Sequence, residues 1–469
     1  MLLHAEKILF NHGWQQQKTL RIENGIIVDV INGYIEGAES VGVVIPGMVN
    51  CHSHAFQRAF AGFSEIKRSG DDSFWSWREV MYSFLKKLTI ADVGTIARQL
   101  YIEMLKSGYT RVAEFHYLHF DKNDGTESNG VESGSVECDG RSAPAMAKVI
   151  FESAQQAGIG LTFLPVLYQY SGFGQKPASV NQARFIHGVN EFNQLVTQCF
   201  EYTKTFSNTN LGIAPHSLRA VDKTSLISAV THVRSLDENA PIHIHIAEQQ
   251  QEVDDCISFY GKRPVQWLID NVELDKHWCL IHATHINEAE RKGIIEKEAV
   301  VGICPTTEAN LGDGIFPTLE FVTEGGSFAI GSDSHISVNP IEELRWLEYA
   351  QRLTKQKRAL LASSAQPSIG AYIWEKALTG GMNSTHSNVG ELAIGKQADL
   401  LVLNQERLAT FASDEQFILD SLLFASQTNM INDVMVNGEW VVKEGIHTEE
   451  KDSMKAFTML LAEVQHTAH

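Results

Sequence analysis

Eight short apolar runs rich in β-forming residues alternate with segments of helical periodicity, and this alternation constrains the fold most. The runs lie near residues 44–49, 110–115, 161–167, 211–215, 242–247, 278–283, 299–304 and 327–332. Eight repeats of strand and helix are what a closed parallel barrel needs, so the pattern predicts a (β/α)8 TIM barrel of the α/β class. A doubly wound sheet is the alternative, because a single sequence indicates element type better than topology.

The segments between the runs carry apolar residues at helical spacing. Two examples are "TIADVGTIARQLYIEMLKSG" and "APAMAKVIFESAQQAG", which end at Gly108 and Gly158. Glycine readily takes the left-handed conformation that commonly ends a helix, so both segments are predicted to be helices that stop at these residues.

The two ends of the chain contain short β-rich stretches separated by turns. "KTLRIENGIIVDV" near the start and "VMVNGEWVVKEGI" near the end each contain an Asn-Gly pair, at Asn24 and Asn437. Asn-Gly between apolar stretches is typical of a tight β-hairpin turn. We therefore predict a small β-sandwich domain built from both chain ends. The predicted limits are 1–46 and 389–469 (with the C-terminal tail) for this domain and 47–388 for the barrel.

One segment interrupts the alternation of strands and helices. Residues 121–140, "DKNDGTESNGVESGSVECDG", are acidic and rich in glycine and serine, which predicts a mobile loop or a disordered segment. The segment follows the second predicted strand, on the side where a barrel keeps its active site, so a lid is one interpretation. A tolerated surface insertion is the other.

Composition limits the class of protein and its partners. Hydrophobic residues make up 43% and charged residues 20% of the chain, as in a soluble globular protein. No apolar run approaches the roughly 18 residues that span a bilayer, and the start lacks a signal-peptide pattern, so the cytoplasm is the expected location. The formal charge of -19 argues against nucleic acid or an anionic membrane as partner, since both bind clustered lysine and arginine.

The cysteines are scattered along the chain without close pairs. This distribution predicts reduced thiols rather than a disulfide framework or a zinc ribbon. The six positions are Cys51, Cys138, Cys199, Cys256, Cys279 and Cys304.

Two histidines leave the first predicted barrel strand in "PGMVNCHSHAFQRAF". His52 and His54 are two positions apart, so in a strand both imidazoles project to the same side and can reach one metal ion. Alone, such a pair is also compatible with ordinary surface histidines.

The fifth predicted strand ends in "PIHIHIAEQ". His245 closes the apolar run and Glu248 follows three residues on, close enough for an imidazole ligand and a proton-transferring carboxylate to serve one site. His243 shares the parity of His245 but lies deeper, so we expect it in the core or behind the metal ligands.

Strands six and eight end in further polar residues. "CLIHATHI" places His282 directly at the strand end and His285 in the loop, and "FAIGSDSHIS" places Asp333 after a buried run. A carboxylate at the end of a buried strand is costly unless it is paired or binds metal.

Three histidines and an aspartate at the ends of several strands suit a borderline divalent ion, most simply Zn²⁺, with iron as the alternative. The fourth strand, "NLGIAPHSLRAV", has no lysine at its end, and Lys204 and Lys223 lie outside the run. A carbamylated lysine bridging two ions is therefore not expected, and one ion per chain is favoured over two.

At this point the sequence resembles the amidohydrolase superfamily over nearly the whole chain. "NCHSHAF", "HIAE", "IHATH" and "GSDS" are similar to the barrel motifs of its mononuclear deaminase branch, and "GKQADLLVLN" is similar to the motif that closes its split β-domain. The resemblance implies that His52, His54, His245 and Asp333 hold zinc. It also implies catalytic roles for Glu248, His282 and Asp333.

Further segments resemble the deiminases of linear amidines within that branch: "HSHAFQRAFAG", "FWSWREVMY", "EFHYLH", "PHSLRAV" and "CPTTEANLGDGIFP". This resemblance implies hydrolysis of N-formimidoyl-L-glutamate, an intermediate of histidine degradation, to N-formyl-L-glutamate and ammonia. It further implies a homodimer and a substrate site formed by Gln57, Arg78, Tyr117, His216 and Arg219. The 121–140 segment is longer than the loop usual in such proteins, which leaves any lid contact from it open.

Physical chemistry agrees with a dicarboxylate substrate, because arginine binds carboxylates through two parallel hydrogen bonds. Arg78 and Arg219 could instead form structural ion pairs, and Trp75 and Trp77 are expected to be core or cap residues. Two alternative functions stay open. One is another mononuclear deaminase, acting on a guanidine or a nucleobase, and the other is a barrel that binds a partner without catalysis.

Overall fold

The computed structural model describes residues 1–63, 65, 74–122, 124, 142–412, 414–426 and 428–466. Within them the strands are β1 (Leu2–Phe10), β2 (Gly13–Glu23), β3 (Ile26–Asn32), β4 (Glu39–Pro46), β5 (Met48–Ser53), β6 (Tyr109–His116), β7 (Gly160–Leu167), β8 (Thr209–Leu211), β9 (Ala214–Pro215), β10 (Ile242–Ile246), β11 (Trp278–His282), β12 (Val300–Ile303), β13 (Ser327–Ile330), β14 (Leu400–Leu403), β15 (Ile431–Val436), β16 (Glu439–Lys443) and β17 (Ile446–His447).

The α-helices are α1 (Phe74–Leu85), α2 (Ile90–Ser107), α3 (Ala143–Ala157), α4 (Val189–Thr203), α5 (Lys223–Leu236), α6 (Gln250–Tyr260), α7 (Pro264–Asn271), α8 (Glu288–Glu296), α9 (Pro305–Leu311), α10 (Thr318–Thr323), α11 (Pro340–Lys355), α12 (Ile369–Thr385), α13 (Gln405–Ala409), α14 (Ile418–Phe424) and α15 (Glu450–His466). Short 3₁₀ helices cover Ala55–Phe60, Val180–Phe185 and Glu415–Phe417.

Parallel strands in the middle of the chain form the barrel. One parallel sheet has the order β5-β6-β7-β8, with β9 also pairing with β7, and a second has the order β10-β11-β12-β13. Parallel bridges between Ser53 and Asp333 and between Ile213 and Ile242 join the two sheets. The predicted (β/α)8 barrel is confirmed, and its fourth strand is divided into the short β8 and β9.

The first barrel strand differs from the predicted run at 44–49. Residues up to Pro46 belong to β4, which pairs with β1 and β14, whereas the barrel strand β5 begins at Met48 and continues to Ser53. At the junction, a Cβ on Gly47 would lie 2.2 Å from Cγ2 of Thr110, so the chain changes sheets where only glycine fits. The apolar run at 44–49 is therefore divided between two sheets, and the sequence pattern does not show where one strand ends and the next begins.

The two chain ends meet in one sheet of order β17-β16-β15-β14-β4-β1-β2-β3. Both predicted Asn-Gly turns are present in the left-handed region, with φ of 50° and 78° at Asn24 and Gly25 and 49° and 78° at Asn437 and Gly438. The domain limits of 1–46, 47–388 and 389–469 stay a prediction.

Helices with defined ends surround the barrel. Thr89 and Asp92 form a capping box at the start of α2, and Gly108 ends that helix with φ of 105°. Gly158 ends α3 in the same way with φ of 79°, so both predicted stops are confirmed. The C-terminal helix α15 packs against α2.

Other sequence expectations concern loops, thiols and membranes. Most of the 121–140 segment lies outside the described residues, as does Cys138, and the other five cysteines are free and buried. Among the described helices, none combines the length and apolar character required to cross a bilayer.

Candidate active site

Side chains from three strand ends converge at the carboxyl end of the barrel. Nε2 of His52 lies 3.0 Å from Nε2 of His245. Oδ1 of Asp333 lies 3.6 Å from Nε2 of His52 and 3.3 Å from Nε2 of His54. Because single ligand atoms of His52, His54 and Asp333 all lie within 4.8 Å of one another, one cation could contact them together. Ligand atoms of His52, His245 and His282 form a second such group that shares His52 with the first, and the ligand set of His52, His54, His245 and Asp333 stays a prediction.

Hydrogen bonds to backbone carbonyls orient two of these imidazoles. Nδ1 of His54 lies 2.8 Å from the carbonyl oxygen of Phe115, and Nδ1 of His245 lies 3.2 Å from that of His216. A proton on each Nδ1 leaves Nε2 with its lone pair directed into the site, which is the arrangement typical of histidine metal ligands.

A buried carboxylate supports the end of β5, from which His52 and His54 project. Glu114 accepts hydrogen bonds from Oγ of Ser53 and from the backbone N–H of Ala55, both at 2.6 Å. These two bonds fix the backbone on either side of His54, so the imidazole is held by its main chain as well as by its ring.

The protonation states suit a cation. Burial lowers the pKa of His54 to about 3 and lowers the pKa values of His52 and His245 well below their usual range. Neutral imidazole is the form that binds metal. Burial also raises the pKa of Asp333 to about 7, so that a cation beside this carboxylate would remove much of the cost of its charge. The donor set and its protonation therefore fit one divalent metal ion.

His282 lies between three carboxylates. Its Nε2 is 3.8 Å from Oε1 of Glu248 and 3.6 Å from Oδ2 of Asp333, and its Nδ1 is 3.2 Å from Oε1 of Glu308. Burial disfavours the charged ring, but the negative carboxylates outweigh it and raise the pKa of His282 to about 10. The carboxylates thus favour the charged form of His282 at neutral pH, whereas burial favours the neutral form of His52, His54 and His245.

The backbone at two of these positions is strained. His282 has φ of 68° and Asp333 has φ of 44°, in the left-handed region that favours glycine. Such conformations cost roughly 1–3 kcal/mol each and persist where the surroundings fix them, which is common at functional sites. They turn both side chains from their strand ends into the site.

The end of strand β13 approaches β5 closely beside the candidate metal residues. A Cβ on Gly331 would lie 2.7 Å from Cβ of His52 and 3.0 Å from Sγ of Cys304. Only a glycine at 331 lets the strand end that carries Asp333 come this close to His52.

Above these residues lies a cavity whose empty space, with its open mouth included, is about 530 Å³. All five side chains implied to bind substrate line it: Gln57, Arg78, Tyr117, His216 and Arg219. Nε2 of Gln57 donates a hydrogen bond to the Tyr117 hydroxyl at 2.8 Å, while Oε1 of Gln57 is buried without a hydrogen-bond partner in the described residues. Gln57 therefore has a hydrogen-bond acceptor that no described residue uses.

Two arginines bring positive charge to the cavity, apart from the candidate metal residues. Arg219 is buried, and although burial opposes the charged form, nearby Tyr168, Glu252 and Glu248 raise its pKa above the usual range. The guanidinium of Arg78 lies over the Tyr82 ring, with its carbon 5.4 Å from the ring centroid. Two arginines in one cavity favour an anionic ligand.

Comparison with known proteins identifies the family. The sequence model of the Amidohydrolase family matches residues 43–441. The chain belongs to the amidohydrolase family. The superfamily resemblance of the barrel motifs is thereby confirmed.

Relatives of this amidohydrolase match over almost the full chain. Formimidoylglutamate deiminase of Pseudomonas aeruginosa is 44% identical over 468 residues, which cover 98% of this chain and 99% of the relative. The crystal structure of an amidohydrolase from Brucella melitensis has a TM-score of 0.90 at 40% identity and covers 99% of both chains. An adenosine deaminase from Xanthomonas campestris with bound zinc has a TM-score of 0.79 at 18% identity, covers 99% of this chain and 98% of its own, and supports the fold alone.

Several cavity residues of the amidohydrolase were not identified from its sequence. Glu308 does not line the cavity but contacts His282, and it follows the seventh strand as Glu248 follows the fifth. Six residues that the sequence did not indicate line the cavity: Met81, Tyr82, Tyr168, Phe185, Leu311 and Ser334. In a sequence, most residues of these types are indistinguishable from core residues. Only the position of the cavity in the structure shows that they line it.

Three other expectations have mixed outcomes. Trp77 packs against Phe60 at a ring distance of 5.6 Å but also lines the cavity, so it is more than a core residue. The Trp75 side chain lies outside the described residues. His243 is fully buried, and its Nε2 lies 2.7 Å from the carbonyl oxygen of Ser384, as expected of a core histidine.

Proposed function

We propose that this amidohydrolase hydrolyses N-formimidoyl-L-glutamate to N-formyl-L-glutamate and ammonia, a reaction of histidine degradation. The observation that carries the proposal is that one cavity is lined by two arginines, by Glu248 and His282, and by three of the four candidate metal residues, His54, His245 and Asp333. The substrate combines an amidine, which needs hydrolytic chemistry, with two carboxylates, which need cations. The identity of 44% to a formimidoylglutamate deiminase supports the same substrate.

We infer one metal ion per chain, held by His52, His54, His245 and Asp333, and we favour zinc over iron because nitrogen and carboxylate ligands at this spacing suit it. When bound, such an ion supplies Lewis acidity and lowers the pKa of water towards about 7. Metal analysis of the purified protein distinguishes zinc from iron.

The chain's own residues supply proton transfer. Asp333, whose Oδ2 lies 3.6 Å from Nε2 of His282, takes a proton from the attacking water. The cationic His282 orients that water and stabilises negative charge that develops during attack. Glu248 relays to the terminal formimidoyl nitrogen the two protons that the attacking water loses, so that this nitrogen departs as ammonia and the glutamate nitrogen stays attached to the formyl carbon.

Recognition of the substrate is divided between charge and hydrogen bonding. Arg78 and Arg219 bind the two carboxylates, each through its planar guanidinium. The buried Oε1 of Gln57 accepts a hydrogen bond from a formimidoyl N–H, and Tyr117 fixes Gln57 in that orientation. His216, whose pKa is lowered by burial and by Arg219, stays neutral and borders the ligand without adding charge.

A screen for ammonia release tests this function against its rivals. The wild-type protein is incubated with N-formimidoyl-L-glutamate, with a panel of guanidines and with a panel of nucleobases. Ammonia from the amidine alone agrees with the proposal, whereas ammonia from a guanidine or nucleobase alone replaces it with another deaminase activity. If no compound yields ammonia and the protein contains no metal, the result favours the alternative of a barrel that binds a partner without catalysis.

The oligomeric state, the cellular location and the binding partners are also proposals. We propose a homodimer in the cytoplasm that binds a small dicarboxylate and neither nucleic acid nor membrane, which the net charge of -19 supports. Sedimentation analysis measures the oligomeric state, and a monomer at working concentration would contradict the dimer.

A further inference from the structure

Tyr168 stands at the edge of the cavity where the third barrel strand ends. It follows β7 directly, is only 3% exposed and lines the cavity together with Arg219. Its ring lies 4.4 Å from that of His216. Neither the sequence motifs nor the comparisons assign a role to this tyrosine.

A neighbouring amide determines the direction of the Tyr168 hydrogen bond. Nε2 of Gln182 donates to the Tyr168 hydroxyl oxygen at 2.8 Å, and both residues are buried. Oε1 of Gln182 accepts from the backbone N–H of Ser179 at 2.9 Å, which fixes the amide in this orientation. The phenol oxygen is therefore the acceptor in its bond with Gln182, and its own hydrogen must point elsewhere.

No hydrogen bond from that hydroxyl to an acceptor is found among the described residues, and Tyr168 lines the cavity. A buried donor without an acceptor costs free energy unless a ligand or water satisfies it. Arg219 lines the same cavity, and its Nε is likewise buried without a hydrogen-bond partner in the described part of the chain. A neutral donor and a cation beside one another match a carboxylate, whose oxygens accept several hydrogen bonds.

We propose that Tyr168, oriented by Gln182, donates a hydrogen bond to the substrate carboxylate that Arg219 binds, and thereby determines specificity for an acidic substrate. This inference rests on the proposed function for the identity of the substrate. It adds to that function a neutral donor that discriminates a carboxylate from an uncharged group at the same place.

Steady-state kinetics of Tyr168→Phe with N-formimidoyl-L-glutamate tests the proposal. Hydrogen bonds to charged groups are the strong ones, so we expect KM to rise about 10- to 100-fold while kcat stays within about 3-fold. Tyr170→Phe is the matched control, because it removes a hydroxyl two residues away that donates to Asp222 at 3.2 Å outside the cavity. Its KM should equal that of the wild type.

Truncated substrates identify the carboxylate. N-formimidoyl-4-aminobutanoate lacks the α-carboxylate, and N-formimidoyl-2-aminobutanoate lacks the side-chain carboxylate. With one of the two, Tyr168→Phe and wild type should have equal KM values, since the partner of the hydroxyl is missing. An equal KM effect on both truncated substrates and the full substrate would assign Tyr168 a structural role and overturn the proposal.

Gln182→Glu tests the direction of the hydrogen bond. The carboxylate can still accept from Ser179 N–H, but it also accepts the phenol hydrogen, which then no longer faces the ligand. We expect a KM rise similar to that of Tyr168→Phe and no further rise when both changes are combined. A rise that persists in the double variant would come from the added negative charge and would contradict the role of Gln182.

A binding measurement separates this inference from the reaction. Calorimetric titration with glutarate should give weaker binding to Tyr168→Phe than to wild type, whatever the wild-type turnover is. Wild type that binds glutarate but releases no ammonia would overturn the proposed function only. Equal glutarate affinity in both proteins, or none in either, would overturn the role of Tyr168.

Discussion

Nδ1 of His282 lies 3.2 Å from Oε1 of Glu308, on the side of the imidazole opposite the nitrogen that faces the other two carboxylates. Glu308 also accepts a hydrogen bond from the backbone N–H of Cys304 at 2.9 Å, which holds the carboxylate at the end of β12. This contact fixes the ring and favours its charged form, so Glu308 is a positioning residue that acts through His282.

Glu308→Gln should lower kcat by about 10- to 100-fold, because the amide no longer supplies the negative charge that stabilises protonated His282. The pKa of His282, about 10 in the intact site, should fall. Since the protonated ring is the active form, activity should be lost at lower pH than in the wild type, which a kcat–pH profile measures. Glu324→Gln, from an exposed pair with Arg291, is the control. Identical profiles for Glu308→Gln and wild type would remove this role.

Glu248→Gln should keep its metal and lose most turnover. The amide preserves the size of the side chain but cannot transfer a proton, and general acid–base steps contribute about 100- to 10,000-fold. Metal content measured beside kcat separates proton transfer from metal loss. Wild-type turnover in the metal-replete variant would contradict the assignment of Glu248.

Arg219→Met should reduce kcat/KM by about 10- to 100-fold while metal content stays near that of the wild type, because a hydrogen-bonded charge is lost from the carboxylate site. Arg234→Met is the matched control, since Arg234 pairs with Asp275 away from the cavity. Unchanged kinetics in Arg219→Met would exclude this arginine from substrate binding.

Gly331→Ala should lower the metal content. The new methyl group would meet Cβ of His52 at 2.7 Å, so either the imidazole or the strand end carrying Asp333 must move. In Gly172→Ala the nearest atom is the flexible end of Lys176 at 3.3 Å, which makes it the control. Full metal occupancy in Gly331→Ala would show that the close approach of the two strands is not needed.

The sequence was sufficient to predict the barrel and the residues at its strand ends. Because parallel strands present their carboxyl ends to one edge, the positions of His52, His245, His282 and Asp333 after apolar runs already implied one site. The substrate-binding residues were harder to predict. Arg78 lies on α1, many residues along the sequence from the nearest strand end, so only the family resemblance indicated it.

Other features depend on geometry that residue type does not encode. Glu308 lies within α9, and its direction towards His282 follows from how that helix leaves β12. Tyr168 continues an apolar run, so its sequence suits a core residue equally well, and only the bond from Gln182 reveals a donor directed elsewhere. The left-handed backbone at Asp333 is likewise imposed by packing around a non-glycine residue.

The most direct measurement of the central claim is product analysis with N-formimidoyl-L-glutamate as substrate. The wild-type protein should release one ammonia for each N-formyl-L-glutamate formed, and a chelator should abolish both products until zinc is restored. Glu248→Gln, with its metal intact, should form neither at a comparable rate. Absence of N-formyl-L-glutamate from metal-replete wild type, or turnover unaffected by complete metal removal, would contradict the account.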